Sequence, residues 1–533
     1  MTPSLLPDPE SCYRALSARD RRFDGVFFVG VTSTGIYCRP ICPARLPARP
    51  NCRFFPTPGM AEAEGFRPCL RCRPERAPGR APVDASKRLA ERAAARIGAG
   101  ALNGAGVEDL ATELHVGPRQ LRRALKKEYG ATPVQLAQTH RLLLARRLLA
   151  ETSLPMGRVA AASGFSSLRR FNTLFRERYG MSPGQMRGRG RSRRGETSIP
   201  ALNLTLDARP PFQWEELVGF LDARTIDGVE AVDGVGRAGG VGRAEGPGGV
   251  EVVDGMDRVG SGDGPLPRYL RTLRVEGHRG WVAVERSEGD SPSLNVELSF
   301  SLLPVLMATL TRLRHLFDLD AEPEVIGEHL VPDPILGPRV RRCPGLRVPG
   351  AGDGFEIGWR AILGQQVSVA AARTLASRFA DAFGEEGGEE DRLPPGLRRF
   401  PVAPEVVIEA GPDAVGALGI PRTRARCVVE LALAVADRAV SLEPGGDVEE
   451  TLTRLERIRG IGPWTARYIA LRALHWPDAF PDGDLGVRKA LGGVSAAEVR
   501  RLSGPWRPWR AYATLYLWSV DGPTPRTRRE NAP

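Results

Sequence analysis

Six of the eight cysteines in this 533-residue chain fall within its first 72 residues, and they constrain local folding more tightly than any other feature. Four of them form two close pairs, CRPIC (Cys38, Cys42) and CLRC (Cys69, Cys72). Paired thiolates that close short loops suit one tetrahedral zinc ion, because four soft ligands saturate the metal and leave no position for a catalytic water. On spacing alone the set fits a structural zinc ribbon. Cys12 and Cys52 lie outside the ligand pattern and read as ordinary small core or surface residues. The N-terminal MTPSLLPDPESCYRA lacks the basic and apolar regions of a secretory signal, and no run reaches the roughly 18–20 apolar residues of a membrane span. A reducing, cytoplasmic setting with no membrane partner is therefore expected, which favours metal binding over disulfides.

The remaining length divides at breaks in composition. At 74–83 the stretch PERAPGRAPV separates the cysteine-rich start from an Ala/Arg/Leu-rich region. At 187–195 the run RGRGRSRRG has no apolar anchor and reads as a solvated basic linker. From Gly228 to about Pro267 the glycine-rich repetition reads as a flexible insertion. Lysine and arginine (75) exceed aspartate and glutamate (63), giving a net charge of +12, so polyanionic partners such as nucleic acid are favoured.

Between 84 and 186 the pattern is helical throughout. Leu110, Leu114, Leu121 and Leu125 flank a turn at Gly117–Pro118, and Val159, Leu168, Phe171 and Phe175 repeat the scheme around Gly164. Each unit ends in a similar tail, YGATP and YGMSP, and a long helix over about 134–151 joins them. Two such units resemble the AraC-type DNA-binding domain, whose second helices would enter successive major grooves of promoter DNA. Arg119, Gln120, Arg122, Arg123, Ser167, Arg169, Arg170 and Asn172 are the exposed polar candidates for base contact.

FFVGVTSTGIYCRPICPARLP followed by FRPCLRC closely resembles the N-terminal domain of Ada-type alkylation-repair proteins over about residues 10–75. The resemblance implies one Zn2+ held by Cys38, Cys42, Cys69 and Cys72, with Cys38 accepting a methyl group from a DNA phosphotriester. It also implies DNA contacts from Thr34, Arg45, Arg67 and Arg71, although each arginine equally fits a solvated surface position.

Alternating runs at Ala201–Leu206, Tyr269–Val275, Gly280–Val284 and Leu294–Phe300 suggest strands flanking a helix near 214–222. Helices return from Leu302 to about Val520. Within them, LTRLERIRGIGPWTARYIALRAL (452–474) carries an apolar stripe, a tight RGIG turn and a proline at the start of a new helix. Gly460 and Gly462 allow close backbone approach, so the amides at that helix start can hold a phosphate. About twenty residues on comes AFPDGDLGVRKAL, then WRPWRAYATLYLW ending at Trp518.

Together with FEIGWRAILGQQVSVAAARTL (355–375) and PFQWEELVGFLDAR (211–224), these resemble the AlkA-type DNA glycosylases of the helix-hairpin-helix superfamily. The resemblance implies Asp484 as the catalytic carboxylate rather than Asp482. It implies Trp464, Tyr468 and Trp518 as the base pocket, each of which would equally serve as core packing. It implies DNA contacts from Gln365, Gln366, Gly460, Gly462 and Thr465. Lyase-competent relatives carry a lysine where this chain has Trp464, so strand cleavage through a Schiff base is not expected. No cysteine follows Cys427, so no iron–sulfur cluster is expected. Gln366 stands where the best-known relative inserts a leucine wedge.

The expected fold is multidomain and mainly α. It comprises a small zinc α+β domain (1–78), a helical double helix-turn-helix domain (84–187), an α+β domain with an antiparallel sheet (199–315), and an all-α helix-hairpin-helix glycosylase domain (316–525). The expected function is excision of alkylated bases such as 3-methyladenine by a monofunctional glycosylase fused to a methyl-accepting, promoter-binding regulator. Expected partners are damaged double-stranded DNA, promoter DNA and RNA polymerase, in a nucleoid-associated setting. The rival reading is a transcription regulator whose glycosylase half only binds DNA. No Pro-Cys-His sequence occurs, so repair of O-alkylated guanine is not expected.

Overall fold

A computed structural model describes residues 9–19, 23, 27–55, 61, 62, 64–69, 71, 72, 74, 82–187, 201–234, 266–289 and 291–519. The chain forms two compact units, Met1–Ile97 with Gly104–Gln138, and Gly98–Asn103 with Thr139–Pro533. The basic linker expected at 187–195 lies outside the described residues except for Arg187.

The first unit holds a four-stranded sheet in the order β3-β1-β2-β4, built from β1 (Phe28–Val31), β2 (Ile36–Cys38), β3 (Cys52–Phe55) and β4 (Arg67–Pro68). β1 runs antiparallel to β2 and β3, whereas β2 and β4 are parallel with Tyr37 opposite Pro68. One face packs Phe28, Tyr37, Phe55, Ala61 and Phe66 together. A Cβ at Gly30 would meet the Phe55 and Phe66 rings at 2.8 and 2.9 Å, so only glycine lets both rings close over β1. On the other side the four paired cysteines, Cys52, Leu16 and Val29 form a buried cluster with few aliphatic carbons of its own.

The helical region confirms the duplicated punctuation. Pro118 opens the helix Pro118–Tyr129, and Gly130 ends it in the left-handed conformation (φ 66°). The helix Leu168–Tyr179 starts at Ser167, whose hydroxyl accepts from the Arg170 amide, and ends at Gly180 (φ 67°). Beyond each, a reciprocal cap recurs: the Thr132 amide donates to Gln135, and the Ser182 amide donates to Gln185, both at 2.9 Å. The helix Pro133–Glu151 crosses from the first unit into the second, so the duplicated helical segment is divided between them.

The second unit contains a five-stranded antiparallel sheet in the order β5-β9-β8-β7-β6, from β5 (Ala201–Asp207), β6 (Glu230–Asp233), β7 (Arg268–Val275), β8 (His278–Arg286) and β9 (Ser293–Ser299). β5 buries Leu202, Leu204 and Leu206 on one face, the period-2 pattern of a half-buried strand. β6 corrects the expected insertion, which cannot begin at Gly228: residues 230–233 pair with β7, Val232 opposite Tyr269. The partner strand lies some forty residues on, so the short local pattern EAVD gave no sign of it. Residues 235–265 of that insertion lie outside the described residues.

Sheet and helices are joined by buried charges. Arg271 on β7 contacts Glu230 at 3.5 Å and Glu356 at 3.0 Å, and Arg360 contacts the same two carboxylates at 3.1 and 3.0 Å. Tyr269 donates to Glu230 at 2.5 Å. Two cations balance two anions, which makes burial of all four tolerable and fixes the helix Gly354–Leu363 against the sheet.

Candidate base-excision and zinc sites

The rings of the C-terminal site are supplied by three helices, and its carboxylate by a fourth segment. The helix Pro463–Arg472 begins after Gly462 and displays Trp464 and Tyr468 one turn apart, their rings stacked at 5.5 Å with planes 19° apart. Trp518, the last residue of Arg510–Trp518, lies 6.2 Å from Tyr468. Phe220, from the helix Trp214–Asp222, stacks on Trp518 at 6.3 Å and 16°. Trp464, Tyr468 and Trp518 are partly exposed, whereas Phe220 is buried behind them.

Asp484 sits at the edge of this stack as the N-cap of Leu485–Ala490. Its Oδ1 accepts from the Val487 amide at 2.9 Å and from the Trp518 indole at 2.8 Å, and its Oδ2 accepts from the Trp464 indole at 3.0 Å. Asp482, two residues earlier, is buried and closed by Arg467 at 2.6 Å and Arg500 at 2.8 Å. Of the two carboxylates, Asp484 is bonded to the indoles of the aromatic stack, whereas Asp482 is paired with two arginines.

Cations back the stack. Arg224 lies 3.8 Å and Arg472 5.0 Å from the Phe220 ring, and Arg472 donates to the Tyr468 hydroxyl at 3.1 Å. Burial raises the Tyr468 phenol, but Arg472, Arg224 and Arg360 outweigh it and hold the group below its ordinary value. Arg472 is itself fixed by the carbonyls of Pro349 and, at 3.2 Å, Gly350. Phe220, Arg224 and Arg472 were not singled out from the sequence. Phe220 lies within PFQWEELVGFLDAR, but its part in the stack depends on packing against a helix nearly three hundred residues on.

The hairpin lies beside this site. Gly460 has φ 104°, and a Cβ there would press on Cys427 at 3.1 Å, two independent reasons for glycine. Gly462 is exposed with open space around it. Gln365 donates to the Gly460 carbonyl at 3.0 Å and to the Thr465 hydroxyl at 2.9 Å, tying the 364–368 loop to the hairpin. Thr465 is therefore buried with its hydroxyl engaged by Gln365 rather than displayed at the surface. Gln366 is exposed at the loop tip in the left-handed region (φ 56°).

In the N-terminal unit, the parallel pairing of β2 with β4 brings Cys38 beside Cys69, whose amide donates to the Tyr37 carbonyl at 3.0 Å. The sulfurs of Cys38, Cys42, Cys69 and Cys72 all lie within 4.8 Å of one another, with Cys42 and Cys69 4.0 Å apart. Tetrahedral zinc with Zn–S bonds of about 2.3 Å requires sulfurs roughly 3.8 Å apart, so this set fits one Zn2+. Crowding by Cys42 and then Cys72 pushes the Cys38 thiol up, which a cation at the centre would reverse. Thr34, Arg45, Arg67 and Arg71 are exposed, whereas Cys12 and Cys52 are buried in the adjoining core.

Three family models match parts of this chain. The metal binding domain of Ada matches residues 11–75, a helix-turn-helix domain residues 110–189, and the AlkA N-terminal domain residues 203–353. The chain is 38% identical over 519 residues to the "Probable bifunctional transcriptional activator/DNA repair enzyme AlkA" of Mycobacterium tuberculosis, covering 96% of each protein. It is 34% identical over 318 residues to DNA-3-methyladenine glycosylase 2 of Escherichia coli, covering 60% of this chain and 97% of that one. It is 31% identical over 182 residues to the bifunctional transcriptional activator/DNA repair enzyme AdaA of Bacillus subtilis, covering 33% of this chain and 81% of that one. With a zinc-ligand set, a duplicated helix-turn-helix and a hairpin-flanked aromatic site on one chain, the protein belongs to the family of bifunctional transcriptional activator/DNA repair enzymes of the AlkA type.

Proposed function

We propose that the C-terminal half hydrolyses the N-glycosidic bond of alkylated bases such as 3-methyladenine, acting as a monofunctional DNA glycosylase. The observation that carries this reading is Asp484, held by two indole N–H groups at the edge of an aromatic stack. A base alkylated on a ring nitrogen is cationic, and partly exposed electron-rich rings favour it over a neutral base by about 0.5–2 kcal/mol. As the base–sugar bond breaks, positive charge develops on the sugar and the Asp484 carboxylate stabilises it. Oδ1 already accepts two hydrogen bonds, whereas Oδ2 accepts one, leaving a lone pair for the attacking water. The base leaves neutral with the bonding electron pair, water adds its hydroxyl at the sugar carbon, and the remaining proton passes to the Asp484 carboxylate and on to solvent.

The hairpin amides around Gly460 and Gly462 would take a backbone phosphate, and Gln366 would fill the vacated stack. The assay is release of free methylated purine from alkylated duplex DNA by wild type and Asp484→Asn. Loss of release by about a hundredfold or more in the variant is expected. Equal release would sink the catalytic assignment and leave the half as a DNA-binding element.

The N-terminal unit is proposed to accept a methyl group from a DNA phosphotriester on Cys38. Zinc bound by four thiolates keeps the sulfur deprotonated and nucleophilic at neutral pH. The Cys38 sulfur forms a bond to the methyl carbon, the methyl C–O bond breaks, and the phosphate leaves as a diester anion. The charge of the site then changes from −2 to −1, reducing repulsion from DNA and favouring promoter binding by the helix-turn-helix units, with RNA polymerase as the downstream partner. The four sulfurs are equally buried, so the choice of Cys38 rests on its place in the CRPIC element. Mass spectrometry after exposure to methyl-phosphotriester DNA should add one methyl to the Cys38 peptide; an unmodified peptide in zinc-loaded protein refutes the role.

A further inference from the structure

The second helix-turn-helix unit is not a separate body hung on a linker: it shares a core with the sheet of the excision half. Leu142, Leu148, Val159 and Phe175 belong to the same buried apolar cluster as Leu202, Val296 and Leu303. The edge of that sheet is closed by the helix Pro133–Glu151 that leads into the unit. β5 is an edge strand, and its Thr205 amide donates to Glu151 at 2.8 Å while Arg147 donates to the Thr205 carbonyl. Glu151 and Arg147 are themselves paired at 3.1 Å, so two side chains on one helix satisfy both outward groups of Thr205, the bonds a neighbouring strand would have made. Around this contact, Arg158 lies 6.0 Å over Phe300, and the Asn103 amide meets the Met307 sulfur at 3.1 Å.

With this docking, the helix Leu168–Tyr179 still turns a polar face outward. Arg169, Arg170, Thr173 and Arg176 are exposed, and Arg169, Asn172, Thr173 and Arg176, with one carboxylate, Glu177, border one shallow groove in which cations outnumber anions two to one. That chemistry suits the phosphates of a duplex. We infer that the second helix-turn-helix unit is a DNA-holding arm of the excision body, gripping the duplex that presents the damaged base. The inference rests on the excision reading above and adds a role that operator recognition does not require. A rigid dock supplies the second grip at a fixed offset, so a duplex long enough to reach both surfaces is held more tightly than one that reaches only the pocket.

The test uses the full chain and measures base release at increasing concentrations of two alkylated duplexes, one of about one helical turn and one of about four. Wild type should half-saturate at a lower concentration of the long duplex. In Arg169→Ala/Arg176→Ala that advantage should disappear. Removing two phosphate contacts should also shrink the loss of long-duplex affinity between about 50 and 200 mM salt by roughly tenfold. Arg147→Ala/Glu151→Ala should lose the same advantage although its arginines on the outer helix remain. Glu151→Gln, which keeps an acceptor for the Thr205 amide, should retain most of it, an outcome that mere loss of charge does not produce. Equal half-saturation of both duplexes by wild type, with release still abolished by Asp484→Asn, overturns the arm and leaves excision standing. A long-duplex advantage that survives both double variants also overturns it. No release by wild type from either duplex overturns both readings.

Discussion

Trp518 donates its indole N–H to Asp484 at 2.8 Å, so one side chain both joins the aromatic stack and holds the carboxylate beside it. Replacing Trp518 by phenylalanine keeps a six-membered ring in the stack and removes the donor with the five-membered half of the indole. Loss of a charge-assisted hydrogen bond worth about 1.5–3 kcal/mol should slow base release roughly ten- to a hundredfold at saturating DNA. Single-turnover kinetics will separate this from weakened binding, which should change little.

Arg472 and its neighbours hold the Tyr468 phenol below its ordinary value against the opposing effect of burial. A cation favours phenolate, so removing one moves ionisation to higher pH. The tyrosinate absorbance of wild type minus Tyr468→Phe should show a step below pH 10.0, the ordinary value. Arg472→Gln should move that step upward, and a step that stays in place would refute the assignment of cause.

The Gln366 backbone lies in the left-handed region, where an L side chain costs about 1–2 kcal/mol. Gln366→Gly should therefore raise the unfolding free energy by about 1 kcal/mol in urea titration. It should at the same time weaken binding to damaged duplex, because the group that would fill the vacated stack is gone.

Arg271 is buried between Glu230 and Glu356. Arg271→Met leaves two carboxylates facing a single cation, Arg360, and should destabilise the second unit by about 3–5 kcal/mol, read from its chemical denaturation midpoint.

The N-terminal cysteine cluster has few aliphatic carbons around it, so its folding depends on the metal. Cys42→Ala should lose one equivalent of zinc per chain by elemental analysis and leave the residues around the cluster open to proteolysis. Base release should persist, since the cysteines and Asp484 belong to different compact units.

Much of this was legible in local sequence because the constraints are local. CRPIC and CLRC place two ligand pairs in short loops, and β2–β4 pairing then brings the pairs together. The repeated YG tails mark left-handed glycine caps at Gly130 and Gly180, and the RGIG turn marks the hairpin. β6 was missed because a four-residue strand beside a glycine-rich tract carries too little pattern to stand out.

By itself, then, the sequence determined the helical punctuation of 84–186, four of the five strands of the second sheet, and which thiols can share a metal. These follow from hydrophobic period, turn chemistry and ligand spacing over a few residues. Only the tertiary structure paired Asp482 with Arg467 and Arg500 and set Asp484 against the Trp464 and Trp518 indoles. Only it joined Phe220 to the aromatic stack and capped β5 with Glu151, since contacts across tens to hundreds of residues depend on packing and leave no local trace in the chain.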